Sequence, residues 1–219
     1  MSGDPVAYIV EITMLSLAVS GAATLISVLI GLPIGTWLAL SRMRSRGVAL
    51  SVVNTGMALP PVVVGLVVAL LLWRSGILGG LGLMYTPGAM VIAEVIIATP
   101  VMAGLTVAGL GQLDPRLHVQ LQGLGASRWQ TIWWLWREAR LPLLAAVMAA
   151  FGSVISEVGA AMMVGGNIAH QTRVLTTSIV LETGRGEFGN AIVLGLVLLT
   201  LAFIVNGILT WAQQRGPRP

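Results

Sequence analysis

The sequence contains no cysteine and no lysine, and only 9% of its 219 residues are charged. Without cysteine the chain has no disulfide, no thiolate metal site and no cysteine nucleophile. Without lysine it lacks the phosphate-binding lysine of a P-loop and any lysine able to form a Schiff base. The two histidines, His118 and His170, stand far apart and outside any H-E-x-x-H motif. We therefore predict no metal, no cofactor and no catalytic residue.

The scarcity of charge also excludes a soluble protein. A soluble domain carries roughly 25% charged residues, whereas 56% of this chain is hydrophobic. Several uncharged runs reach the roughly 20 residues that cross a bilayer. The net charge of +4 is small and dispersed, which argues against nucleic acid as a partner. We predict an all-α polytopic membrane protein, solvated by lipid, in which residues 1–219 form a single transmembrane domain.

Hydrophobicity divides the chain into five predicted transmembrane spans. They cover about residues 12–40, 48–73, 88–110, 141–164 and 188–211. A polar segment at about 111–140 precedes the fourth span, and a loop at about 165–187, with a short helix expected near 172–182, precedes the fifth. The first stretch is long for one span, and dividing it would give six spans.

The placement of arginine predicts the orientation of the chain. Nine of the twelve arginines lie in the turn 42–46, the segment 111–140 and the C-terminal tail. The alternate loops contain only Arg74, Arg173 and Arg185. Because basic residues favour the cytoplasmic side, we predict a multi-pass protein of the cell (inner, cytoplasmic) membrane with an external N-terminus and a cytoplasmic C-terminus.

Two prolines interrupt the second span at its centre. Pro60 and Pro61 remove backbone donors and break the helix. Irregular backbone at membrane depth is tolerated where protein or a water-filled cavity satisfies the freed carbonyl groups. The break is therefore either an ordinary kink or part of a transport path.

The polar segment 111–140 contains signals for two helices. Asp114 and Pro115 are typical of a helix start. The aspartate accepts hydrogen bonds from the first free amides, and proline lacks a backbone N–H that would be unpaired at this position anyway. Gly123 and Gly125 interrupt that helix, and Ser127 to Gln130 forms the pattern of a capping box for a second one. The first helix is brief, polar and held between spans, which suits it to docking into a partner's groove.

The second of these helices is rich in tryptophan. Trp129, Trp133, Trp136 and Arg140 recur at helical spacing. Indole rings prefer the headgroup level of a membrane, with the apolar body inward and the N–H group wet. We expect this helix to lie along the inner membrane interface before the chain turns inward at Leu141-Pro142.

Two carboxylates fall inside predicted spans. A charged side chain at mid-bilayer costs about 2.5–3.5 kcal/mol on insertion scales, so Glu94 and Glu157 should face the helix bundle. Glu157 is either part of a gate or dimer seam, or a structural hydrogen-bonding group. A carboxylate repels an anion, so we do not expect Glu157 to bind one directly.

The residues after Glu157 have properties of a constriction. Met162 and Met163 are flexible and polarisable, which suits a deformable gate, although simple packing explains them equally well. The turn Gly165-Gly166-Asn167 is able to present backbone N–H groups to an anion. Arg173 either attracts an anion by its charge or is a solvated loop residue.

The polar segment resembles a known family. Gly125-Ala126-Ser127-Arg128-Trp129, followed by a helix and Leu141-Pro142, is similar to the cytoplasmic EAA loop of ABC importer permeases. In that family the short helix before the glycine is a coupling helix held by the ATPase. Val119-Gln120-Leu121 occupies the place of the Glu-Ala-Ala triplet, which is therefore absent. The resemblance implies ATPase coupling through a group of residues around the glycine: Arg116, Gln120, Gln122, Gly123, Gly125, Ala126 and Arg128.

The resemblance extends over nearly the whole chain. Leu59-Pro60-Pro61, followed by three valines and Gly65, resembles the oxyanion branch of these permeases, which imports molybdate, tungstate and sulfate. The run from Ser156 to Asn167, followed by Thr172-Arg173, is most like the tungstate permeases. The fold implied is that of a type I ABC importer permease. The translocation path or gate implied comprises Pro60, Pro61, Glu157, Met162, Met163, Gly165, Gly166, Asn167 and Arg173.

In this family two permease copies sit on two ATP-binding cassette subunits, and an external substrate-binding protein delivers the anion. The resemblance therefore implies a homodimeric transport subunit for tungstate that is not itself an enzyme. Molybdate or sulfate are alternative substrates. An intramembrane enzyme using Glu94 or Glu157 would lack partner residues for catalysis. A stand-alone transporter or channel is disfavoured because five spans are few and no internal duplication is visible.

Overall fold

The computed structural model of the chain describes residues 5–41 and 43–214. Within them the secondary structure is helical, with no strand. The α-helices are α1 (Pro5–Leu40), α2 (Arg46–Met57), α3 (Pro61–Leu72), α4 (Pro87–Gly111), α5 (Pro115–Gly123), α6 (Arg128–Glu138), α7 (Arg140–Ile155), α8 (Gly159–Gly165), α9 (Leu175–Gly184) and α10 (Phe188–Gln214). Arg42, Arg215 and Arg218, which contribute to the orientation prediction, lie outside the described residues.

Three helices are long and apolar enough to cross a membrane: α1, α4 and α10. Two bent pairs raise the number of spans to five if each pair is counted as one. The pair α2 and α3 is bent by 95°, and the pair α6 and α7 by 75°. The all-α class is confirmed, and the five predicted spans lie at the upper end of this range.

The centre of the bundle is the contact between α1 and α4. Gly31 and Gly35, four residues apart on α1, face α4. A Cβ atom added at Gly31 would lie 2.8 Å from the Cβ of Met102, and one at Gly35 would lie 2.5 Å from the carbonyl oxygen of Ala103. Small residues at this spacing allow two helix backbones to approach closely in a membrane. This pairing holds α4 against α1 along its length.

The predicted break at the prolines is present. α2 ends at Met57, Pro60 precedes α3 in an extended conformation, and Pro61 is the first residue of α3. Proline at a first helical position removes an N–H that would be unpaired anyway. The 95° bend makes this a change of helix direction rather than a mild kink.

The predicted fourth span, 141–164, is not one continuous helix but two. α7 ends at Ile155, and α8 begins only at Gly159. Two hydrogen bonds satisfy groups freed at this break: the Glu157 carboxylate accepts the Ala160 N–H at 2.9 Å, and the Thr176 hydroxyl donates to the Glu157 carbonyl at 2.9 Å. The second bond comes from a distant part of the chain, so no local pattern indicated the break.

The two helices predicted in the polar segment are confirmed with their ends. The Asp114 carboxylate accepts the Arg116 N–H at 2.8 Å and begins α5. Ser127 and Gln130 form both hydrogen bonds of the capping box that begins α6. Between them Gly125 has a φ of +81°, a left-handed conformation that favours glycine. The short helix expected in the 165–187 loop is also present, as α9.

Candidate functional site

The helix α8 is held between α3 and α4 by close packing. A Cβ atom added at Gly65 of α3 would lie 2.7 Å from the Cα of Ala160, and Gly159 packs in the same way against Val62. Ala161 and Val164 are buried in a cluster shared with both neighbouring helices. No room remains for larger side chains at these contacts.

Glu157 forms the start of α8. Its side chain is buried, and its carboxylate caps α8 through the Ala160 N–H while its carbonyl binds Thr176. The structure thus shows the hydrogen-bonding role that was one of the two interpretations of this residue. The same contacts make Glu157 the joint between α7, α8 and α9.

Glu94 lies on α4 beside this joint. It is only 3% exposed. The preceding residue, Ala93, is buried in the same cluster as Ala160 and Ala161 of α8. Among the described residues the Oε2 atom of Glu94 has no hydrogen-bond partner. Both acids are buried, as the expectation that they face the helix bundle requires.

At the other end of α8 the chain turns through Gly165 and Gly166. The Thr172 hydroxyl donates to the Gly165 carbonyl at 2.5 Å and accepts the Ile168 N–H at 3.0 Å. The Gly166 N–H donates to the Met162 carbonyl at 3.1 Å. This amide is therefore engaged in the helix end. Gly166 therefore does not offer its N–H to an anion, and for the rest of the turn Gly165-Gly166-Asn167 the expectation stays a prediction.

Arg173 is not a solvated loop residue. Its Nε donates to the Asn167 side-chain oxygen at 3.2 Å, its Nη2 to the Asn167 carbonyl at 3.1 Å, and its Nη1 to the Tyr8 hydroxyl at 3.4 Å. The guanidinium therefore fastens the turn after α8 to the first turns of α1. Asn167 has a φ of +52°, a conformation that asparagine tolerates better than most residues.

A second contact of the same loop was missed by the sequence analysis. The Nδ1 atom of His170 lies 2.9 and 3.1 Å from the two carboxylate oxygens of Glu11, and Tyr8 packs edge-on against the His170 ring. Deeper in the bundle, the Leu175 N–H donates to the Ser16 hydroxyl at 2.9 Å. The partners are about 160 residues apart in the chain, so no sequence pattern could have found them.

The remaining predicted path residues lie around the contact of α3 and α8. Pro61 is half-buried at the start of α3, while Pro60 is exposed. Met163 is half-buried on α8 and faces Gly65, but Met162 is exposed. Along this seam the structure brings the start of α3 together with Glu157 and Met163, while Pro60 and Met162 are exposed. It places Gly166, Asn167 and Arg173 at the end of that seam.

The predicted coupling residues lie on and just after α5. Arg116, Gln120, Gln122, Gly123, Gly125 and Arg128 are exposed, and Ala126 is half-buried. Leu117, on the inner side of α5, packs against a buried cluster formed by Leu110, Leu135, Ala139 and Leu143. On the outer side Val119 is 64% exposed and Leu124 is 85% exposed. The exposed side of this segment therefore carries two large apolar side chains among its polar ones.

α6 connects the polar segment to the bundle. The indole N–H of Trp136 donates to the Thr36 hydroxyl of α1 at 2.8 Å. Trp136 is thus a link between two helices rather than a headgroup anchor, which corrects the expectation for it. Trp129 and Trp133 are exposed, as an interfacial anchor requires. An open cavity of about 650 Å³ lies between the end of α1, α5 and α6.

Comparisons with known proteins were made for the whole chain. Residues 31–215 match the family described as "Binding-protein-dependent transport system inner membrane component". The chain is 39% identical to the tungstate uptake system permease protein TupB of Peptoclostridium acidaminophilum, over 98% of this chain and 93% of that protein. It is also 39% identical to a probable anion ABC transporter permease protein of Haloferax volcanii, over 96% and 93%.

The fold is similar to that of a solved transporter. The inward-facing MetNI methionine ABC transporter contains a chain that superimposes with a TM-score of 0.74, covering 98% of this chain and 97% of that one, at 19% sequence identity. At this identity the likeness concerns the fold alone. It supports the expected type I importer permease architecture.

Proposed function

The chain belongs to the family of binding-protein-dependent transport system inner membrane components and is a permease component of an ABC importer. On this basis we propose that its substrate is tungstate. The observation that carries this proposal is the 39% identity to a tungstate permease over 98% of the chain. The match covers the region of α8, where the run from Ser156 to Asn167 resembles the tungstate permeases.

The geometry favours a path that passes an oxyanion without binding it tightly. Two carboxyl groups, Glu94 and Glu157, lie beside α8, and a dianion is repelled by negative charge. Arg173 carries a positive charge at the end of α8, but Asn167 and Tyr8 already hold its guanidinium. We therefore assign affinity and most of the selectivity to an external substrate-binding protein. This chain supplies the path and the gate.

We assign ATPase docking to the outer face of α5. In the absence of a Glu-Ala-Ala triplet, the exposed side chains available there are Val119, Leu124 and several neutral or basic polar groups. Interface cores are enriched in apolar contacts and depleted of charge. The proposed docking contact is therefore mainly apolar, with Gln120, Arg116 and neighbouring residues at its rim.

A continuous set of contacts connects this docking face with α8. Leu117 anchors α5 to buried residues of α4, α6 and α7, including Leu143 near the start of α7. α7 has 16 residues and so spans about 24 Å. Its far end is the joint at Glu157. If the ATPase displaces α5, α7 would act as a rigid element and transmit the movement to α8.

The proposed assembly contains two copies of this chain, two ATPase subunits that hydrolyse ATP, and an external binding protein. The proposed orientation has the N-terminus outside and α5 in the cytoplasm. The arginines at positions 44 and 46 and those of α6 then lie on the cytoplasmic side.

Reconstitution tests the substrate directly. The chain is co-expressed with its ATPase and incorporated into proteoliposomes with the cognate binding protein outside. We expect ATP-dependent uptake of tungstate that excess molybdate reduces weakly and sulfate does not reduce. If molybdate competed as well as tungstate, the transporter would have a broader specificity for oxyanions than proposed. Uptake without any ATPase subunit would contradict the importer itself.

A further inference from the structure

The open cavity of about 650 Å³ between the end of α1, α5 and α6 lies where α1 leaves the hydrocarbon layer. α1 has 36 residues and is about 54 Å long. Even when it is tilted by about 40°, it is longer than the roughly 30 Å thickness of the hydrocarbon core. Its last turns, which contribute Trp37 and Leu40 to the cavity wall, therefore reach the headgroup region.

The cavity lining carries one arginine and no carboxylate. Among the described residues that line it, Arg128 is the only arginine, and neither aspartate nor glutamate is present. The guanidinium of Arg128 forms no hydrogen bond or ion pair with any described residue. By contrast, the Arg46 guanidinium donates to the Leu38 carbonyl at 3.0 Å, and the Arg137 guanidinium lies 5.1 Å from the ring of Trp134. Arg128 therefore gives the lining a positive charge that no described residue neutralises.

A neutral donor and indole rings accompany this charge. The amide nitrogen of Gln122 lies 3.1 Å from Nε2 of His118, and a side-chain amide nitrogen has a second hydrogen to donate. Trp37 is 54% exposed and Trp129 is 79% exposed, and both line the cavity. Indole rings prefer the headgroup level of a membrane, with their apolar bodies towards the acyl chains. The lining thus combines groups for a phosphate with groups for hydrocarbon.

We propose that this cavity binds an anionic phospholipid, whose phosphate accepts hydrogen bonds from Arg128 and Gln122 while its acyl chains lie along Trp37 and Trp129. A guanidinium binds phosphate through two parallel hydrogen bonds. A zwitterionic headgroup would bring an ammonium group, for which the described lining holds no carboxylate partner. Pockets for small ligands have volumes of about 300–1,000 Å³, and this cavity lies within that range.

A lipid in this position joins α1, α5 and α6. Because we assign ATPase docking to the outer face of α5, the bound lipid holds the docking helix against α1. The resemblance to ABC importer permeases implied contact with the ATPase for Arg128 and Gln122. The lipid site assigns these two residues to the membrane and leaves Val119 and Leu124 to the ATPase.

Native mass spectrometry of the full chain tests the site by counting retained lipid molecules. The probe is an equimolar mixture of phosphatidylglycerol and phosphatidylethanolamine, added to the detergent-purified protein. We expect one phosphatidylglycerol to be retained per chain in preference to phosphatidylethanolamine. In Arg128→Gln this retention should fall by about fivefold or more, which is the contribution of one arginine to binding an anionic lipid surface.

Two pairs of variants on α6 separate a built site from the general attraction of lipid to basic and aromatic side chains. Arg137 and Trp133 are exposed and are not among the described residues that line the cavity. Arg137→Gln and Trp133→Ala should therefore retain phosphatidylglycerol as the wild type does. Trp129→Ala should lose it although the charge is unchanged, and this arm stands even if Arg128→Gln fails to fold. Equal retention within either pair would overturn the proposal.

Two other occupants of the cavity predict different results. Excess inorganic phosphate should leave the lipid bound, because it has no acyl chains, and displacement by phosphate would show a site for a free anion. Addition of the ATPase subunits should also leave the lipid bound, and its release on assembly would show that the ATPase fills the cavity. Either result would overturn the lipid site. A chain that retains the lipid but imports no tungstate would refute the proposed substrate alone, so the two proposals fail separately.

Discussion

The contact between α3 and α8 leads to a prediction with a calculable size. A Cβ atom at position 65 would lie 2.7 Å from the Cα of Ala160. Two carbon atoms attract best at about 3.5–4.0 Å, so in Gly65→Ala the helices must separate by roughly 1 Å. The obstacle is backbone, which cannot turn aside as a flexible side chain can. Overpacking of this kind costs about 1–3 kcal/mol.

An opposing effect must be subtracted. Replacing a helical glycine by alanine stabilises a helix by about 0.8–1.0 kcal/mol. We therefore expect Gly65→Ala to lower the free energy of unfolding by up to about 2 kcal/mol. Gly152 on α7 is the matched control, because a Cβ atom added there meets nothing within 4 Å. Gly152→Ala should show the helical gain alone and be neutral or more stable.

The assay combines stability with transport. Denaturant unfolding of the purified complex gives the difference between the two variants, and proteoliposome uptake reports on the path. We expect Gly65→Ala to reduce uptake while the chain still copurifies with its ATPase, because α5 is unchanged. If Gly65→Ala were as stable and as active as Gly152→Ala, the close contact of α3 and α8 would not exist in the working protein.

Three further predictions concern the segment of α5 and α6. Gly125→Val places a β-branched residue at a φ of +81°, which costs about 1–3 kcal/mol of local strain. Transport-coupled ATP hydrolysis in proteoliposomes should be lost, although the protein still inserts into the membrane. Unchanged coupling would refute the role of Gly125. Val119→Asp and Leu124→Asp should each reduce the amount of copurifying ATPase, whereas undiminished copurification would exclude an apolar docking face. Trp136→Phe and Thr36→Val should each lower the free energy of unfolding by about 0.5–1.5 kcal/mol. The double variant should lower it by less than the sum of the two. Full additivity in this double-mutant cycle would show that the 2.8 Å hydrogen bond contributes nothing.

Local signals predicted the polar segment 111–140 well. Asp114 and Ser127 begin their helices in the structure as their sequence patterns indicated, because the capping partner lies within three residues. Pro60 and Pro61 likewise predicted the break between α2 and α3. In each case the physical cause, a side-chain cap or a missing backbone donor, is contained in the residues themselves.

Other features depend on residues that are far apart in the chain. No proline or glycine separates α7 from α8 between Ser156 and Val158. The break is stabilised by Thr176, which is 19 residues away, and by the Glu157 side chain. Arg173 was open to two interpretations because its partners, Asn167 and Tyr8, become neighbours only when the loop meets α1.

The sequence by itself determined the membrane class, the helical content and the ends of α5 and α6, because hydrophobicity and capping act through the solvent and adjacent residues. It also carried the family resemblance. Only the tertiary structure decided that Thr176 binds the Glu157 carbonyl, that Gly65 touches Ala160, and that Arg173 is held in place. These depend on how α1, α3, α4 and α8 pack, and packing is set by contacts between surfaces that no single stretch of the chain contains.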